Sequence, residues 1–441
     1  MSCFKFIFLS LFILIFLNDS YASEPPARGV TSQLNEYREK ALNYNHDLKS
    51  AEKNLAASQE AIRIAKGEFL PKLNSAASYK YAGNPSELTL DLPMFDTPFG
   101  FQANHNQYGA TLSLMQPIYS GGRLRNALKV SELESQMVSD QSEALKLSVI
   151  YQTDMKYWTT AANAELVEVS ESLKKSIENL VSIVKQRVEA GAVSRNDLLM
   201  AEVKLNDAEF QLLQIENQLA INRMGLNSFI GEELNAQLPI DAIIPVIAGF
   251  DIDSLNPHNL RPELRMATTN IAVQEGLKKI NDSKYLPQLH IGAEGSYSSP
   301  GYNFNKDLDP NYGVYAKFSM PLYQWGKRGK EKRISNYKIG IARDTQQKIE
   351  EQIQLETESA ITAFNQAQDQ VRLSESSLNK AYENETMLIS RYKEGEISIL
   401  EALDGQLYRQ NAQINYVKAK LNAQIRYSEL QKALNAYDIS A

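Results

Sequence analysis

Long stretches of this chain place apolar residues three and four positions apart, the spacing of a helix face that packs against another helix. The longest stretch covers 124–190 and contains neither proline nor glycine. With a rise of 1.5 Å per residue, it predicts one helix of roughly 100 Å. A second long helix is predicted over 329–394. The apolar stripe of the first helix consists of Leu166, Val169, Leu173, Ile177, Leu180, Val184 and Val188.

Shorter helices are predicted by the same spacing over 195–230, over 398–435 and, before the first strands, over 31–67. The 31–67 and 195–230 helices would each be about 55 Å long, so that stacked end to end they match the long helix. The segment 231–260, which contains three prolines, is interpreted as an equatorial connector where the two meet. On the last helix the stripe consists of Leu400, Leu403, Leu407, Gln410, Ile414, Val417 and Leu421.

Between the helices, apolar and polar residues alternate with period two, which is typical of strands with one apolar and one polar face. The alternation predicts β-hairpins over 69–118 and 285–322. It fits both a half-buried sheet of a soluble protein and the strands of a membrane barrel, and the pattern alone leaves both open. The clearest apolar row consists of Tyr312, Val314, Ala316, Phe318, Met320 and Leu322.

The chain contains an internal duplication. QYGATLSLMQPIYSGGR (107–123) returns as NYGVYAKFSMPLYQWGK (311–327), and RVEAGAVS (187–194) returns as RYKEGEIS (391–398), both 204 positions later. Two copies of one structural unit are therefore predicted. The predicted units are a first repeat over 23–230, the connector, a second repeat over 261–435 and a C-terminal tail over 436–441.

The N-terminus has the features of a secretory signal peptide. Lys5 is followed by the apolar run 6–17 and by small residues up to Ala22, which predicts cleavage of 1–22. The run is shorter than the ~20 residues of a transmembrane helix. Because the only cysteine, Cys3, lies in this segment, we expect no disulfide, thiolate metal site or N-terminal lipid in the mature chain. The net charge of −7 argues against nucleic acid as a partner.

An exported chain with four strands has two options in relation to a membrane. Known membrane barrels begin at about eight strands, and an open sheet would leave unpaired backbone groups in lipid. The sheet must therefore either stay out of the membrane or form a barrel with further copies of the chain. The signal peptide and the long helices favour the second option.

The LP-x-L sequences at the strand starts, the P-[IL]-Y sequences at the strand ends and the R-x-x-x-G-x-x-S turns occur in both copies. Together they resemble the TolC-type outer-membrane efflux protein family over about 34–433. The resemblance implies a mainly α fold with β-hairpins: a coiled-coil helical barrel in the periplasm, and four strands per chain that complete a twelve-stranded β-barrel in a homotrimer. It further implies outer-membrane lipid, a periplasmic adaptor (membrane fusion protein) and an inner-membrane transporter as partners, in an efflux pump or a type I secretion system.

The two glycine turns are candidate functional elements. A glycine just past a helix end lets the chain reverse direction, and a serine three residues later is suited to cap the next helix. Turn chemistry alone explains these residues, whereas the resemblance implies that the turns also bind the adaptor, and both interpretations stay open. The residues concerned are Arg187, Gly191, Ser194, Arg391, Gly395 and Ser398.

The resemblance also implies a gate at these turns, closed by a hydrogen bond between Tyr392 and Asp197. In the family a third partner is an arginine two residues after the second glycine, and Ile397 stands there in this chain, which places that part of the network in doubt. A bond of this kind contributes about 1.5–3 kcal/mol. We therefore expect Tyr392→Phe to open the resting channel partway.

Glu401 and Asp404 are candidates for acidic rings at the channel entrance. They are three residues apart and so lie on one side of the predicted helix. The alternative is an ordinary solvated helix face, which a single E-x-x-D would favour. The positions match the acidic constriction of the family, and threefold symmetry would bring six carboxylates to one axis.

Tyrosines near the predicted strand ends suggest the interfacial belts of a membrane barrel, with 82–106 and 298–310 as external loops. An ordinary preference of tyrosine for strands would also explain them. The tyrosines are Tyr79, Tyr81, Tyr108, Tyr119, Tyr297, Tyr312 and Tyr323.

The sequence offers no motif of catalysis. The four histidines stand apart, and the sequence contains no H-E-x-x-H, Walker or dinucleotide motif. We therefore expect no catalytic residue, metal site or cofactor. An alternative function is a periplasmic coiled-coil scaffold or pump adaptor, although adaptors have one helical hairpin flanked by split β-domains. The sequence leaves the cargo open between drug, metal ion and polypeptide.

Overall fold

The computed structural model describes residues 31–90, 99–247, 261–301 and 307–437. The predicted signal peptide lies outside the described residues. So do the second half of the connector, the middle parts of the loops predicted over 82–106 and 298–310, and the chain after Tyr437.

Helices make up most of the described chain, as the fold prediction required. The two long helices contain 67 and 68 residues and are therefore each about 100 Å long. No helix in the described ranges combines the length and the apolar character needed to cross a membrane. The helices are α1 (Ser32–Tyr44), α2 (His46–Gly67), α3 (Arg123–Glu189), α4 (Arg195–Ile230), α5 (Pro262–Ser283), α6 (Lys327–Glu394) and α7 (Ile399–Ala433).

The single helix predicted over 31–67 is wrong, because the chain forms α1 and α2 with a break at Asn45. Asn45 has a non-helical ψ of 124°, and its side chain accepts hydrogen bonds from the backbone N–H of Asp47 and Leu48. An asparagine cap of this kind starts a new helix, while the apolar spacing continues across the break and conceals it.

Helix α3 is the centre of the packing, since it contacts α1, α2, α4, α5 and α7, whereas α6 packs chiefly on α5 and α7. At the end with the glycine turns the helices therefore lie in the order α4, α3, α7, α6. The end of α4 abuts α1, because a side chain on Gly231 would overlap the ring of Tyr44. The largest core lies where these helices meet, around Trp158, Tyr157 and Leu226.

The described part of the connector packs against this core. Ile244 is buried within it, and the Tyr37 hydroxyl donates to the Pro239 carbonyl at 2.6 Å. The described residues after α7 also pack on the helices: the Tyr437 hydroxyl lies 3.2 Å from Asp154 Oδ2. Asp154 is fully buried and accepts two hydrogen bonds of 2.7 Å from Arg38.

The four long strands form one antiparallel sheet in the order β1-β4-β5-β6, so that β1 and β6 are its edges. The loop predicted over 82–106 contains two further strands, β2 and β3, which pair antiparallel. Its sequence alternates at ELTL and FGFQ, and strands form there because the hairpin continues beyond β1. The strands are β1 (Lys72–Tyr81), β2 (Glu87–Leu90), β3 (Phe99–Gln102), β4 (Asn106–Tyr119), β5 (Gln288–Ser299) and β6 (Asp309–Ser319).

The registers place the apolar residues of the four long strands on one face of the sheet. Tyr79 is opposite Tyr108, Leu114 opposite Ala293, and Ala293 opposite Val314. This face is exposed, with Val314 82% and Tyr312 89% accessible, whereas the alternating polar residues of β4 are partly shielded. The sheet thus turns its apolar side outward, which is the reverse of a sheet that covers a soluble core. The exposed apolar residues are Leu73, Tyr79, Tyr108, Leu112, Leu114, Ile291, Tyr297, Tyr312, Val314 and Phe318.

Candidate functional site

The candidate site is the pair of turns that join α3 to α4 and α6 to α7. Gly191 and Gly395 adopt left-handed conformations, with φ of 70° and 83°. In each turn the residue after the glycine donates its N–H to the carbonyl of an arginine, from Ala192 to Arg187 at 2.8 Å and from Glu396 to Arg391 at 3.0 Å. The two turns therefore have the same backbone, because both place a left-handed glycine at the helix end, where the backbone N–H groups satisfy the last carbonyls of the helix.

Both return helices begin with a capping box. Ser194 Oγ accepts from Asp197 N at 3.3 Å, and Asp197 Oδ2 accepts from Ser194 N at 3.0 Å. Ser398 and Glu401 make the same pair of bonds at 3.3 and 3.2 Å. Two candidate gate residues, Asp197 and Glu401, thus have a structural role at a helix start, where a carboxylate also favours the helix dipole.

The two arginines of the turns have different surroundings. Arg187 Nη1 donates to the Tyr392 carbonyl at 2.5 Å, and its guanidinium lies over the Tyr392 ring, 5.0 Å from the centroid. Arg391 instead bonds within its own turn, with Nε 3.1 Å from Glu396 Oε2, and both side chains are about half exposed at 54%. Arg187 therefore joins the two copies, whereas Arg391 faces outward.

Tyr392 is 1% exposed and belongs to a core that all four helices of the tips share. Its hydroxyl has no hydrogen-bond partner among the described residues, so the bond expected between Tyr392 and Asp197 is not formed in this structure. Burial raises the pKa of Tyr392; the Arg187 charge lowers it and the Asp197 charge raises it. The core consists of Leu180, Val184, Ala201, Tyr392, Ile399, Ala402 and Leu403, with Ile397 packed at its margin.

Glu401 and Asp404 are both exposed, at neighbouring positions of α7. Glu401 is engaged in its capping box, while no hydrogen bond or ion pair within the described chain involves Asp404. In the described ranges no group of three His, Cys, Asp or Glu residues is arranged to hold a metal ion.

Sequence reasoning missed a set of polar residues buried between the helices above the turns. Gln406 Nε2 donates to Ser176 Oγ at 2.8 Å, and Gln410 Nε2 donates to Gln211 Oε1 at 3.1 Å. These bonds join α7 to the helices of the first copy. The available signal was Gln410 itself, a polar residue within an otherwise apolar stripe.

Glu385 of α6 and Arg409 of α7 form an ion pair of 2.7 Å with side chains 7% and 16% exposed. Burial raises the pKa of Glu385, and the opposing effect of the Arg409 charge is smaller. A charged pair inside a coiled coil is unusual and fixes the register of its helices. Neither residue was a candidate from the sequence.

Comparison with known proteins identifies the family. The family model described as outer membrane efflux protein matches residues 37–232 and 258–436. The probable efflux pump outer membrane protein SepC of Pseudomonas putida is 23% identical over 406 residues, which cover 89% of this chain and 81% of SepC. The outer membrane protein TolC of Escherichia coli is 20% identical over 415 residues, 88% of this chain and 79% of TolC.

The fold is shared with solved structures. The crystal structure of the outer membrane protein VceC from Vibrio cholerae superposes with a TM-score of 0.75 at 18% identity, and the match covers 92% of this chain and 96% of VceC. The family match extends through both copies and both turns. The chain therefore belongs to the outer membrane efflux protein family and is a protein of the outer membrane, as the resemblance of its motifs predicted.

Proposed function

We propose that three copies of this chain form the outer-membrane exit channel of a tripartite efflux pump or type I secretion system. The channel conducts cargo passively, is entered from the periplasm at the helical tips, and opens to the exterior through the strands. One observation carries the proposal: a four-stranded sheet with two open edges and an exposed apolar face.

The edges β1 and β6 each have one neighbour among the described strands, so within the described chain each has a row of backbone N–H and C=O groups without a partner strand. In lipid such groups must be paired by protein, because no water is available to them. Pairing β6 of one subunit with β1 of the next subunit gives the backbone groups of every edge strand a partner when the ring closes. Three copies supply the twelve strands that the resemblance implies.

The helices at the two sides of the chain also expose apolar rows that could pack on each other. The outer helices of the chain at the turns are α4 and α6, and both expose apolar residues along their length, although such residues normally pack on a partner helix. Because α4 has 36 residues and α6 has 68, contact between α4 of one subunit and α6 of the next would cover the row of α4 and the turn-side half of the row of α6. Such contacts around the ring would close a helical tube below the sheet. The exposed residues are Leu199, Val203, Phe210, Leu213, Ile221 and Met224 on α4, and Ile334, Tyr337, Ile341, Leu355, Leu373, Tyr382 and Met387 on α6.

The outward apolar face also distinguishes a channel from a periplasmic scaffold. A scaffold or adaptor would place its sheet in water, where residues such as Val314 and Phe318 at 82% and 67% exposure would favour aggregation. In lipid the same face is stabilised. The tyrosines at the ends of these strands then lie at the membrane interfaces.

The partners and the absence of catalysis are part of the same proposal. SepC carries the name of an efflux pump component, and a passive channel needs an inner-membrane transporter as its source of energy. The exposed residues of the turns, Arg391 and Glu396 among them, offer an adaptor polar contacts beside the small Gly395. Asp404 and its symmetry copies would line the entrance and favour cations.

Cysteine cross-linking and extraction test the proposal. One cysteine at Ala76 on β1 is combined in turn with a cysteine at Gly313, Tyr315 or Lys317 on β6, all on the same face of the sheet. Because β1 and β6 lie at opposite edges, a disulfide within one chain is too long, and oxidation should yield dimers and trimers.

The matched control moves the first cysteine to Ser113 on β4, which has neighbours on both sides in its own chain and should give monomers. The membrane fraction should resist alkaline carbonate. Release by carbonate, together with monomers for every β1–β6 combination, would favour the periplasmic scaffold instead.

A further inference from the structure

Arg187 and Arg391 occupy the same position in turns of the same backbone, but only Arg187 reaches the other copy. Its contact with Tyr392, referred to here as the cross-turn contact, combines the 2.5 Å hydrogen bond to the Tyr392 carbonyl with the stacking of the guanidinium on the Tyr392 ring. Arg391 faces Glu396 in its own turn.

The carbonyl that Arg187 binds lies in the last turn of α6. Carbonyls in a last turn lack the full set of helical partners and carry the negative end of the helix dipole. The Tyr392 carbonyl already accepts a bond of 3.0 Å from the Gly395 N–H. The Arg187 guanidinium adds a second, charge-assisted bond, compensates the dipole and at the same time stacks on an aromatic face. The cross-turn contact therefore fixes the end of α6 to the end of α3 through one side chain.

Gly395 is part of the same arrangement. A Cβ atom at this position would lie 3.2 Å from Arg187 Nη2, whereas a Cβ atom on Gly191 would meet nothing within 4 Å. The second glycine is thus needed for its left-handed φ, and a side chain there would also crowd the end of the Arg187 guanidinium. Ile397, two residues later, is apolar and packs at the margin of the tip core, so it offers no donor to the turn.

We propose that Arg187 is the positioning residue that holds the turn of the second copy against the first and thereby keeps the channel entrance closed. The proposal rests on the channel function proposed above. It also reassigns the half-buried Arg187 from the adaptor-binding surface to the contact between the two turns, and leaves Arg391 as the arginine that faces outward.

Conductance of the purified, full-length protein in planar bilayers tests this role. Arg187→Ala removes a hydrogen bond from a charged donor in every subunit, so the ratio of closed to open channels should fall on the order of ten- to hundred-fold. Arg187→Lys keeps the charge without the planar fork and should lie between Arg187→Ala and the wild type. The matched control is Arg195→Ala, which removes an exposed arginine near the same turn and should conduct as the wild type does.

A closed-to-open ratio of Arg187→Ala equal to that of the wild type, or to that of a similarly altered Arg195→Ala, would overturn the proposal. If Arg187→Ala does not assemble, Arg187→Gln gives the same readout, and wild-type behaviour of that variant would overturn it equally. Absence of conductance in the wild type and in every variant would contradict the channel function itself, whereas a conducting wild type with an unchanged Arg187→Ala would contradict only the role of Arg187.

Discussion

The two helical hairpins of this chain have different kinds of side-chain contact at one pair of equivalent positions. In the first copy, Val181 and Leu205 pack at the margin of an apolar cluster between α3 and α4. At the equivalent positions of the second copy, 204 residues later, stand Glu385 and Arg409, which form the buried ion pair between α6 and α7. At this one layer the hairpin therefore has apolar contacts in the first copy and an ion pair in the second.

A buried charged pair such as Glu385–Arg409 contributes differently from an apolar contact. Its desolvation costs about as much as its attraction returns, so it adds little net stability compared with apolar residues of similar size. It does penalise any helix register in which one charge loses its partner. Because the Glu385 pair lies in the copy that contains Tyr392, we interpret it as a register device for α6 and α7 above the entrance.

The largest expected effect comes from breaking this pair. Glu385→Val should lower the free energy of unfolding by roughly 3–5 kcal/mol, because Arg409 is left charged and buried without a partner. Thermal unfolding of the detergent-solubilised protein, followed by circular dichroism, measures it. The matched control is Glu383→Val, which removes an exposed carboxylate from the same helix. If Glu385→Val and Glu383→Val lower the free energy of unfolding by similar, small amounts, breaking the ion pair does not destabilise the protein.

The double variant Glu385→Val/Arg409→Leu gives the second copy the residues of the first. Its stability should equal that of the wild type or exceed it, by up to about 1–4 kcal/mol, since apolar residues of similar volume replace a desolvated pair. The same unfolding measurement applies. A double variant as unstable as Glu385→Val would indicate that the cavity, and not the unpaired charge, causes the loss.

Titration of Glu385 should produce a smaller effect with a defined sign. Burial raises its pKa above the ordinary value of 4.5, so the folded state binds the proton more tightly than the unfolded state does. The resulting contribution to stability is complete below pH 4.5 and is lost as the pH rises through the folded pKa. The free energy of unfolding of the wild type, relative to that of Glu385→Gln, should therefore fall as the pH rises from 4.5 through the folded pKa of Glu385. A constant difference across the window would contradict the raised pKa.

The sequence predicted the features that depend on local patterns. Helix lengths, strand alternation and the glycine turns follow from spacing within one segment, and the capping serines follow from their distance to the glycines. The break at Asn45 was missed because the apolar spacing continues through it. The pairing of β2 with β3 was missed because two short strands in a loop give a weak signal.

Contacts between distant segments could not be predicted from the pattern. Arg187 and Tyr392 form a hydrogen bond although they are 205 residues apart in the sequence. They meet only because of the rotation of α3 relative to α6. The resemblance to the family suggested a different partner for Tyr392, namely Asp197. The rotation of a helix about its axis depends on how its whole apolar face packs against its neighbours. No single pair of residues in the sequence therefore reveals it.

The smallest expected effect concerns Tyr392 itself. Because its hydroxyl has no partner among the described residues, Tyr392→Phe loses no hydrogen bond and should change the free energy of unfolding by less than about 1 kcal/mol. Its conductance should equal that of the wild type, in contrast to the partial opening expected from the sequence. The matched variant Tyr392→Val introduces the residue of the first copy, Val188, and removes the ring under Arg187.

Tyr392→Val should therefore destabilise the protein by roughly 2 kcal/mol or more through the cavity it leaves, and should also raise the conductance. Comparing the two variants separates the ring from the hydroxyl. If Tyr392→Phe raises the conductance as much as Tyr392→Val does, the hydroxyl is the essential group, and the hydrogen bond to Asp197 that the family resemblance implies holds the entrance closed. If only Tyr392→Val does so, the closed state depends on the aromatic face that Arg187 covers.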